Sequence, residues 1–288
     1  MAAREVITSS QNPKIKNVLR LRERKHRLRQ QRTLVDGVRE IQRAILGGFL
    51  PLEVYVQANL FSDHSLQTPE VSSLLQQLQQ ANVPIWQVAE RPFEKIAYGN
   101  RDEGLVAVVQ VPDRQLDELA TILDLPSSNE SATSNAQSKI IGIIERIEKP
   151  GNIGAVIRSA DGAGLDAVIC VDCVTDLFNP NVIRASLGTI FGLPVLEASA
   201  AEVRGWLEEY KFATRVARVD GAVPYWQAEY LGRCAIVLGS EADGVTDDWK
   251  SDQYQGVYLP MHGLADSLNI SATAAVLFYE AKRQRSPE

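Results

Sequence analysis

The second half of this 288-residue chain carries a series of short, largely apolar runs: IIGIIERI, AVICV, LPVLE, FATRVA, CAIVLG and GVYLP. A strand wetted on one face alternates apolar and polar residues. Most of these runs are apolar at both parities, so both faces need cover. The segments between them have helical periodicity, near residues 153–163, 180–190, 200–210 and 267–284. Apolar strands separated by helices form a parallel sheet with helices on either side. The first half repeats the alternation less regularly, in LVDGVREIQRAILGG, LEVYVQ, QVAERPFEKIA and GLVAVVQV. The fold class expected is α/β, with a parallel-sheet C-terminal domain and a smaller N-terminal α/β domain. The intervening LPSSNESATSNAQS has the composition of a flexible connection. The expected bounds are therefore an N-terminal domain over 1–112, a linker over 113–138 and a C-terminal domain over 139–288.

The net charge of −6 conceals an asymmetry, because residues 1–50 hold 12 Lys/Arg against 4 Asp/Glu. Lys14, Lys16, Arg20, Arg22, Arg24, Lys25, Arg27, Arg29 and Arg32 form the densest stretch, opposed only by Glu23. Exposed helices usually mix signs to gain i,i+4 pairs, so this imbalance favours a polyanion surface over a merely solvated face. Ile15, Val18, Leu19, Leu21 and Leu28 recur at roughly helical spacing and are expected to face a core. No apolar run is long enough to span a membrane, and the first residues lack the apolar core of a signal peptide. Three cysteines argue against a disulfide framework and for a reducing, cytoplasmic setting.

Ligands of parallel α/β sheets bind at loops after strand C-termini, and three such loops stand out. The first reads EKPGNIGAVIRSADGAG. Its Gly151 and Gly154 permit close backbone approach, Asn152 is placed to cap the next helix, and Arg158 follows one and a half turns later. The second reads GSEADGVTDD, with Ser240, Glu241 and Asp243 between Gly239 and Gly244. The third reads YLPMHGLADSLNISATAAVLFYEAKRQR, where Ser267 and Asn269 fall on the expected first turn of a helix beside free backbone N–H groups. Taken singly, each loop reads equally well as an ordinary capped turn.

Together the three loops resemble the signature motifs of the SpoU, or TrmH, family of RNA ribose 2′-O-methyltransferases. The first is similar to its N-x-G-x-x-x-R-x-A box (Asn152, Gly154, Arg158, Ala160). The second is similar to L-G-x-E-x-x-G (Leu238, Gly239, Glu241, Gly244), with Ser240 and Ala242 departing from the usual Asn and Gly. The third is similar to P-M…S-L-N-x-S (Pro260, Met261, Ser267, Leu268, Asn269, Ser271). NPNVIRASLGTIFGLPV resembles an intermediate family segment through Arg184, Ser186 and Gly188. The resemblance covers residues 140–285. Residues 1–110 resemble, more loosely, the substrate-binding domain that precedes some ribosomal-RNA members.

The resemblance implies methyl transfer from S-adenosylmethionine to a ribose 2′-hydroxyl, on a SPOUT domain whose C-terminal segment forms a trefoil knot. The substrate implied is 23S ribosomal RNA; the alternatives are transfer RNA, or an inactive RNA-binding or ribosome-assembly protein. It implies catalytic roles for Arg158, Asn152, Glu241, Ser267 and Asn269. Leu238, Gly239, Leu259, Met261 and Leu268 would hold the cofactor. Lys14, Lys16, Arg20, Arg24, Arg27 and Arg184 would meet RNA. A guanidinium is a poor base, so Arg158 is expected to stabilise the developing alkoxide instead. A homodimer is implied through the C-terminal helix, which is expected to expose Leu277, Phe278 and Tyr279. No metal is expected, since the sulfonium donor is already activated. GAGLD at 162–166 ends a helix rather than opening one, so it is no dinucleotide fingerprint. Cys170 and Cys173 fall in an expected strand, where period 2 sends them to opposite faces, and they are read as core residues.

Overall fold

A computed structural model describes residues 5–63, 67–98, 103–126, 138–221, 223–241 and 243–286. The chain divides into two compact units, Met1–Asp113 with Phe178–Gly192, and Arg114–Leu177 with Leu193–Glu288.

In the first unit, α1 (Pro13–Arg20) starts where Asn12 accepts the Lys14 amide and proline occupies the first turn. The chain then breaks before α2 (Arg24–Gln30), which ends on left-handed Gln31. That break shifts the helical phase of the basic run. Ile15, Val18 and Leu21 are buried as expected, but Leu28 is 57% exposed and Arg27 points inward. The Arg27 guanidinium donates to the carbonyls of Leu21 at 2.8 Å and Arg22 at 2.7 Å, closing the turn between the helices. Strands β1 (Arg32–Asp36), β2 (Pro51–Gln57), β3 (Ile85–Val88) and β4 (Leu105–Gln110) form a sheet in the order β1-β4-β2-β3. β4 is antiparallel to both neighbours, and β2 pairs parallel with β3. Helices α3 (Val38–Leu46), α4 (Ala58–Ser62), α5 (Pro69–Gln80) and α6 (Glu90–Ile96) connect and cover the strands.

The segment Phe178–Gly192, distant in sequence, completes this unit. It carries α9 (Pro180–Ala185), and its Phe178 and Phe191 rings meet Phe49 with centroids 6.4 and 5.2 Å away. Thr33 Oγ1 donates to the Phe178 carbonyl, and Arg43 to that of Leu187 at 2.8 Å. A Cβ on Gly47 would lie 2.2 Å from the Phe191 carbonyl oxygen, so that position needs glycine.

The second unit is built on a seven-stranded sheet, parallel throughout: β5 (Ile140–Glu145), β6 (Ala167–Val171), β7 (Val195–Ala198), β8 (Ala213–Ala217), β9 (Val223–Pro224), β10 (Cys234–Leu238) and β11 (Gln255–Tyr258). The order is β7-β6-β5-β10-β8-β11-β9. Every residue of β5, β6 and β10 is buried, which is why those runs are apolar at both parities. β9 escapes a sequence reading because it is two residues long, contains proline and sits at the edge. Helix α7 (Leu116–Ile122) falls within the stretch expected as linker; Leu119 and Leu123 join the core of the sheet with Trp206, Leu207 and Trp249. Residues 127–137 of that stretch lie outside the described residues. α8 (Pro150–Ala163) and α10 (Ala200–Glu209) complete the alternation with α11 (Ile270–Arg285), and α8 and α11 pack together.

α11 does not expose Leu277 and Phe278, which are fully buried; only Tyr279 is open, at 54%. Gly142 of β5 makes the room, since a Cβ there would come within 3.0 Å of the Phe278 ring. The cysteines are not on opposite strand faces either. β6 stops at Val171, and Asp172 turns into the left-handed region at φ 49°. That turn carries Cys173 out of the strand, where its thiol donates to the Ile144 carbonyl at 3.8 Å. Burial pushes the Cys170 thiol well up.

Phe278→Ala should therefore cost about 3–5 kcal/mol, as for a ring removed from a closed core. A urea midpoint close to that of the unaltered protein would show that α11 does not depend on this contact.

Candidate functional site

In a parallel sheet all strand C-termini share one edge, so the loops leaving β5, β10 and β11 emerge on the same side. The loop after β10 doubles back on itself. Ser240 and Gly244 exchange both backbone hydrogen bonds at 3.0 Å. The Ser240 hydroxyl accepts the Asp243 amide at 3.0 Å. Gly239 lies so close to the returning arm that a Cβ would fall 2.1 Å from the Gly244 carbonyl carbon, and Gly244 itself takes a φ of +67°. Both glycines are dictated by the turn. Ala242 lies outside the described residues.

After β5, the chain enters α8 at Pro150, with Lys149 at the cap. Proline suits the first helical position because its fixed φ is already helical. Asn152 therefore does not cap the helix as expected. It sits in the first turn, where its amide donates to Glu241 Oε1 at 2.9 Å. The earlier helix start also puts Arg158 deeper than expected, some two turns in. It is exposed, with no hydrogen-bond or ion-pair partner among the described residues.

After β11, α11 begins one turn later than expected, at Ile270. Asn269 is the cap, so Ser267 lies outside the helix. Asn269 Oδ1 accepts the Ser271 amide at 3.0 Å and its hydroxyl at 2.6 Å. The Asn269 amide nitrogen donates to Glu241 Oε1 and to Asn152 Oδ1, the latter at 3.4 Å.

These bonds converge on the Glu241 carboxylate. Oε2 accepts the Lys149 ammonium at 2.9 Å, while Oε1 takes both asparagine amides. The Lys149 bond, helped by Coulomb attraction, holds the Glu241 carboxyl below its ordinary range, and Glu241 raises Lys149 in return. Of the expected catalytic residues, Asn152, Glu241 and Asn269 are thus joined directly. Ser267 is exposed and outside the cluster, as is Arg158. Among the expected cofactor residues Leu238 is buried, Leu259 and Met261 are half-buried, and Leu268 is 41% exposed beside the fully exposed Leu264. Lys149 was not singled out from the sequence, although a cation in a loop straight after a buried strand is a usable signal. Glu145, the one acidic residue of β5, was also passed over.

In the first unit, Lys16, Arg20 and Arg24 are exposed. Lys14 lies 3.8 Å over the Trp86 ring and 3.9 Å from Glu53. Arg184 donates to the Tyr98 carbonyl at 3.4 Å. Arg27, expected at an RNA surface, is instead buried in the turn it closes. Among the described residues no cluster of three or more His, Cys, Asp or Glu could hold a metal, and no helix is long and apolar enough to cross a membrane.

The SpoU rRNA Methylase family matches residues 139–279, and the MRM3-like substrate binding domain matches residues 12–107. A 23S rRNA (uridine(2479)-2′-O)-methyltransferase of Streptomyces viridochromogenes is 30% identical over 91% of this chain and 86% of that protein. The crystal structure of an RNA 2′-O ribose methyltransferase shares 36% identity and superposes with a TM-score of 0.78, covering 98% of this chain and 99% of that one. The fold is also that of the SpoU methyltransferase AviRb from Streptomyces viridochromogenes in complex with the cofactor AdoMet, at 24% identity and a TM-score of 0.79 over 95% of this chain and 99% of that one. The chain belongs to the SpoU rRNA methylase family.

Because the folded-state carboxyl of Glu241 is lowered, its contribution to stability is full above the ordinary carboxylate range and is lost progressively as pH falls from that range through the lowered folded value. In Lys149→Met, carbon-13 NMR should find the Glu241 carboxyl titrating at higher pH than in the unaltered protein. An unchanged titration would separate Lys149 from the cluster.

Proposed function

We propose that this chain transfers the methyl group of S-adenosylmethionine to a ribose 2′-hydroxyl of 23S ribosomal RNA. Family membership makes it an S-adenosylmethionine-dependent RNA methyltransferase, and the choice of ribosomal RNA follows the substrate named for the Streptomyces relative. The single observation that carries the site assignment is the junction at Glu241, which ties residues from the loops after β5, β10 and β11 to one carboxylate.

The loops fit the donor. Leu264 is fully exposed, Leu268 is 41% exposed, and Met261 and Leu259 are half-buried, apolar surface that a purine and its ribose would cover. Leu238, Gly239, Leu259, Met261 and Leu268 would hold it, with the tight turn at Gly239 presenting backbone groups rather than side chains. When bound, the donor supplies a methyl group on a positively charged sulfur. The remaining difficulty is the ribose hydroxyl, which is barely acidic at neutral pH. Arg158, exposed on α8 with no partner among the described residues, would stabilise the alkoxide as it forms, directly or through the neighbouring phosphate. Asn152, Glu241 and Asn269, already bonded to one another, would hold the ribose-facing loops in fixed register. Ser267, exposed and outside the cluster, would offer its hydroxyl to the sugar.

The first unit, residues 1–113 with Phe178–Gly192, would bind RNA, with Lys16, Arg20 and Arg24 on phosphates and Lys14 and Arg184 in supporting positions. The second unit, Arg114–Leu177 with Leu193–Glu288, would carry out the transfer, and α7 of the stretch expected as linker belongs to it. The family's trefoil knot belongs to this reading, supported by the insertion of β10 between β5 and β8. A homodimer through α11 also belongs to it, supported by exposed Tyr279. A ribosomal RNA substrate implies a cytoplasmic setting.

Two measurements test the reading. With 23S ribosomal RNA as substrate, Arg158→Ala should lower kcat by roughly a hundredfold or more while leaving S-adenosylmethionine affinity unchanged, and Arg158→Lys should recover only part of the loss. Full activity in either variant would remove Arg158 from the reaction. Replacing Lys16, Arg20 and Arg24 by alanine should flatten the salt dependence of RNA binding by about 2 in log–log slope. An unchanged slope would move the RNA surface elsewhere.

A further inference from the structure

We propose that Glu145 is a positioning residue that holds the loop after β10 in its donor-binding shape. This rests on the assignment of that loop to the donor. Glu145 ends a strand whose other residues are Ile140, Ile141, Gly142, Ile143 and Ile144, and it is fully buried. No cation pairs with it among the described residues. Instead its carboxylate takes three donors from one short stretch. Oε2 accepts the Thr246 amide at 2.7 Å, and Oε1 accepts the Thr246 hydroxyl at 2.9 Å and the Trp249 indole N–H at 2.8 Å.

Burying an ionised carboxylate is costly unless hydrogen bonds replace its water, and an apolar residue would fill this strand position more simply. The placement of the donors explains its presence. Thr246 directly follows Gly244 and Val245, the arm pressed against Gly239. The outer part of the loop is held by its own bonds between Ser240, Asp243 and Gly244. Its base is fastened to the neighbouring strand by Glu145. Trp249, packed in the core beneath, completes the grip. Glutamine cannot substitute, since one of its two terminal atoms is an NH2 group and would face an N–H or O–H donor. Aspartate is one carbon too short for both residues.

The experiment is calorimetry with S-adenosylmethionine on the full chain, paired with steady-state kinetics. Glu145→Gln should weaken donor binding about tenfold or more and raise the donor KM in parallel, while kcat at saturating donor stays within about threefold and RNA affinity is unchanged. If Glu145→Gln does not fold, Thr246→Val reports the same effect, since it removes one bond and leaves the buried carboxylate two donors. Donor affinity within about twofold of the unaltered protein, in whichever variant folds, would overturn the proposal. The apolar triple variant Glu145→Leu/Thr246→Val/Trp249→Phe separates positioning from mere stability: its urea midpoint should recover while its donor affinity stays weak. Recovery of both would overturn the positioning role. Gly239→Ala in the same calorimeter distinguishes the two levels of the argument. Normal donor binding there would remove the loop assignment itself, whereas lost binding there with a normal Glu145→Gln would remove only Glu145.

Discussion

Glu241 stands where the turns after three strands of one parallel sheet meet, and its carboxylate is shared by Lys149, Asn152 and Asn269. Each partner has a second anchor of its own. Lys149 caps α8, Asn152 lies in the first turn of that helix, and Asn269 caps α11 while bonding Ser271. The carboxylate thus joins two helix N-termini to the loop after β10. The geometry suits a reaction in which a hydroxyl and a methyl group must be held in line, because orientation supplies much of the rate in such displacements.

The cluster cannot owe its rigidity to charge. Glu241 and Lys149 are both solvent-exposed, with side chains 30% and 74% accessible, and an exposed ion pair contributes about 0–1 kcal/mol. The order has to come from below. The strands are buried on both faces, Gly239 and Gly244 leave the loop after β10 little freedom, and Glu145 fastens its base. The surface cluster then selects among arrangements that the backbone has already narrowed. That division of labour resembles a metal site, where outer partners orient the ligands that touch the reacting centre.

Much of this was legible in the sequence, for physical reasons that can be traced. Runs such as IIGIIE and CAIVL declare buried strands because every residue is buried, and the motif loops follow them because parallel sheets place ligands there. What failed was phase and register. Pro150 starts α8 earlier than Asn152 suggests, Asn269 starts α11 later than Ser267 suggests, and a break after Arg20 turns Arg27 inward in place of Leu28. Periodicity marks which face is apolar but not where a helix begins, and one residue of shift moves a side chain by 100°. The burial of Phe278 depends on the missing side chain at Gly142, a long-range fit that no local pattern carries. Glu145 lacks a motif of its own, and its role is visible only once Thr246 and Trp249 surround it. The inclusion of Phe178–Gly192 in the first unit is likewise a tertiary fact, written in the meeting of Phe49, Phe178 and Phe191 rather than in any nearby sequence.

On the function proposed above, the three turns form one cradle for the methyl donor. The most direct measurement is a crystal structure of the full chain with S-adenosylmethionine. The expected result is the donor against the backbone of Gly239 and the side chains of Met261 and Leu268, with its methyl group directed toward Arg158 and the Glu241 cluster intact. A donor bound elsewhere, or bound there with Arg158 turned away from the methyl group, would contradict it.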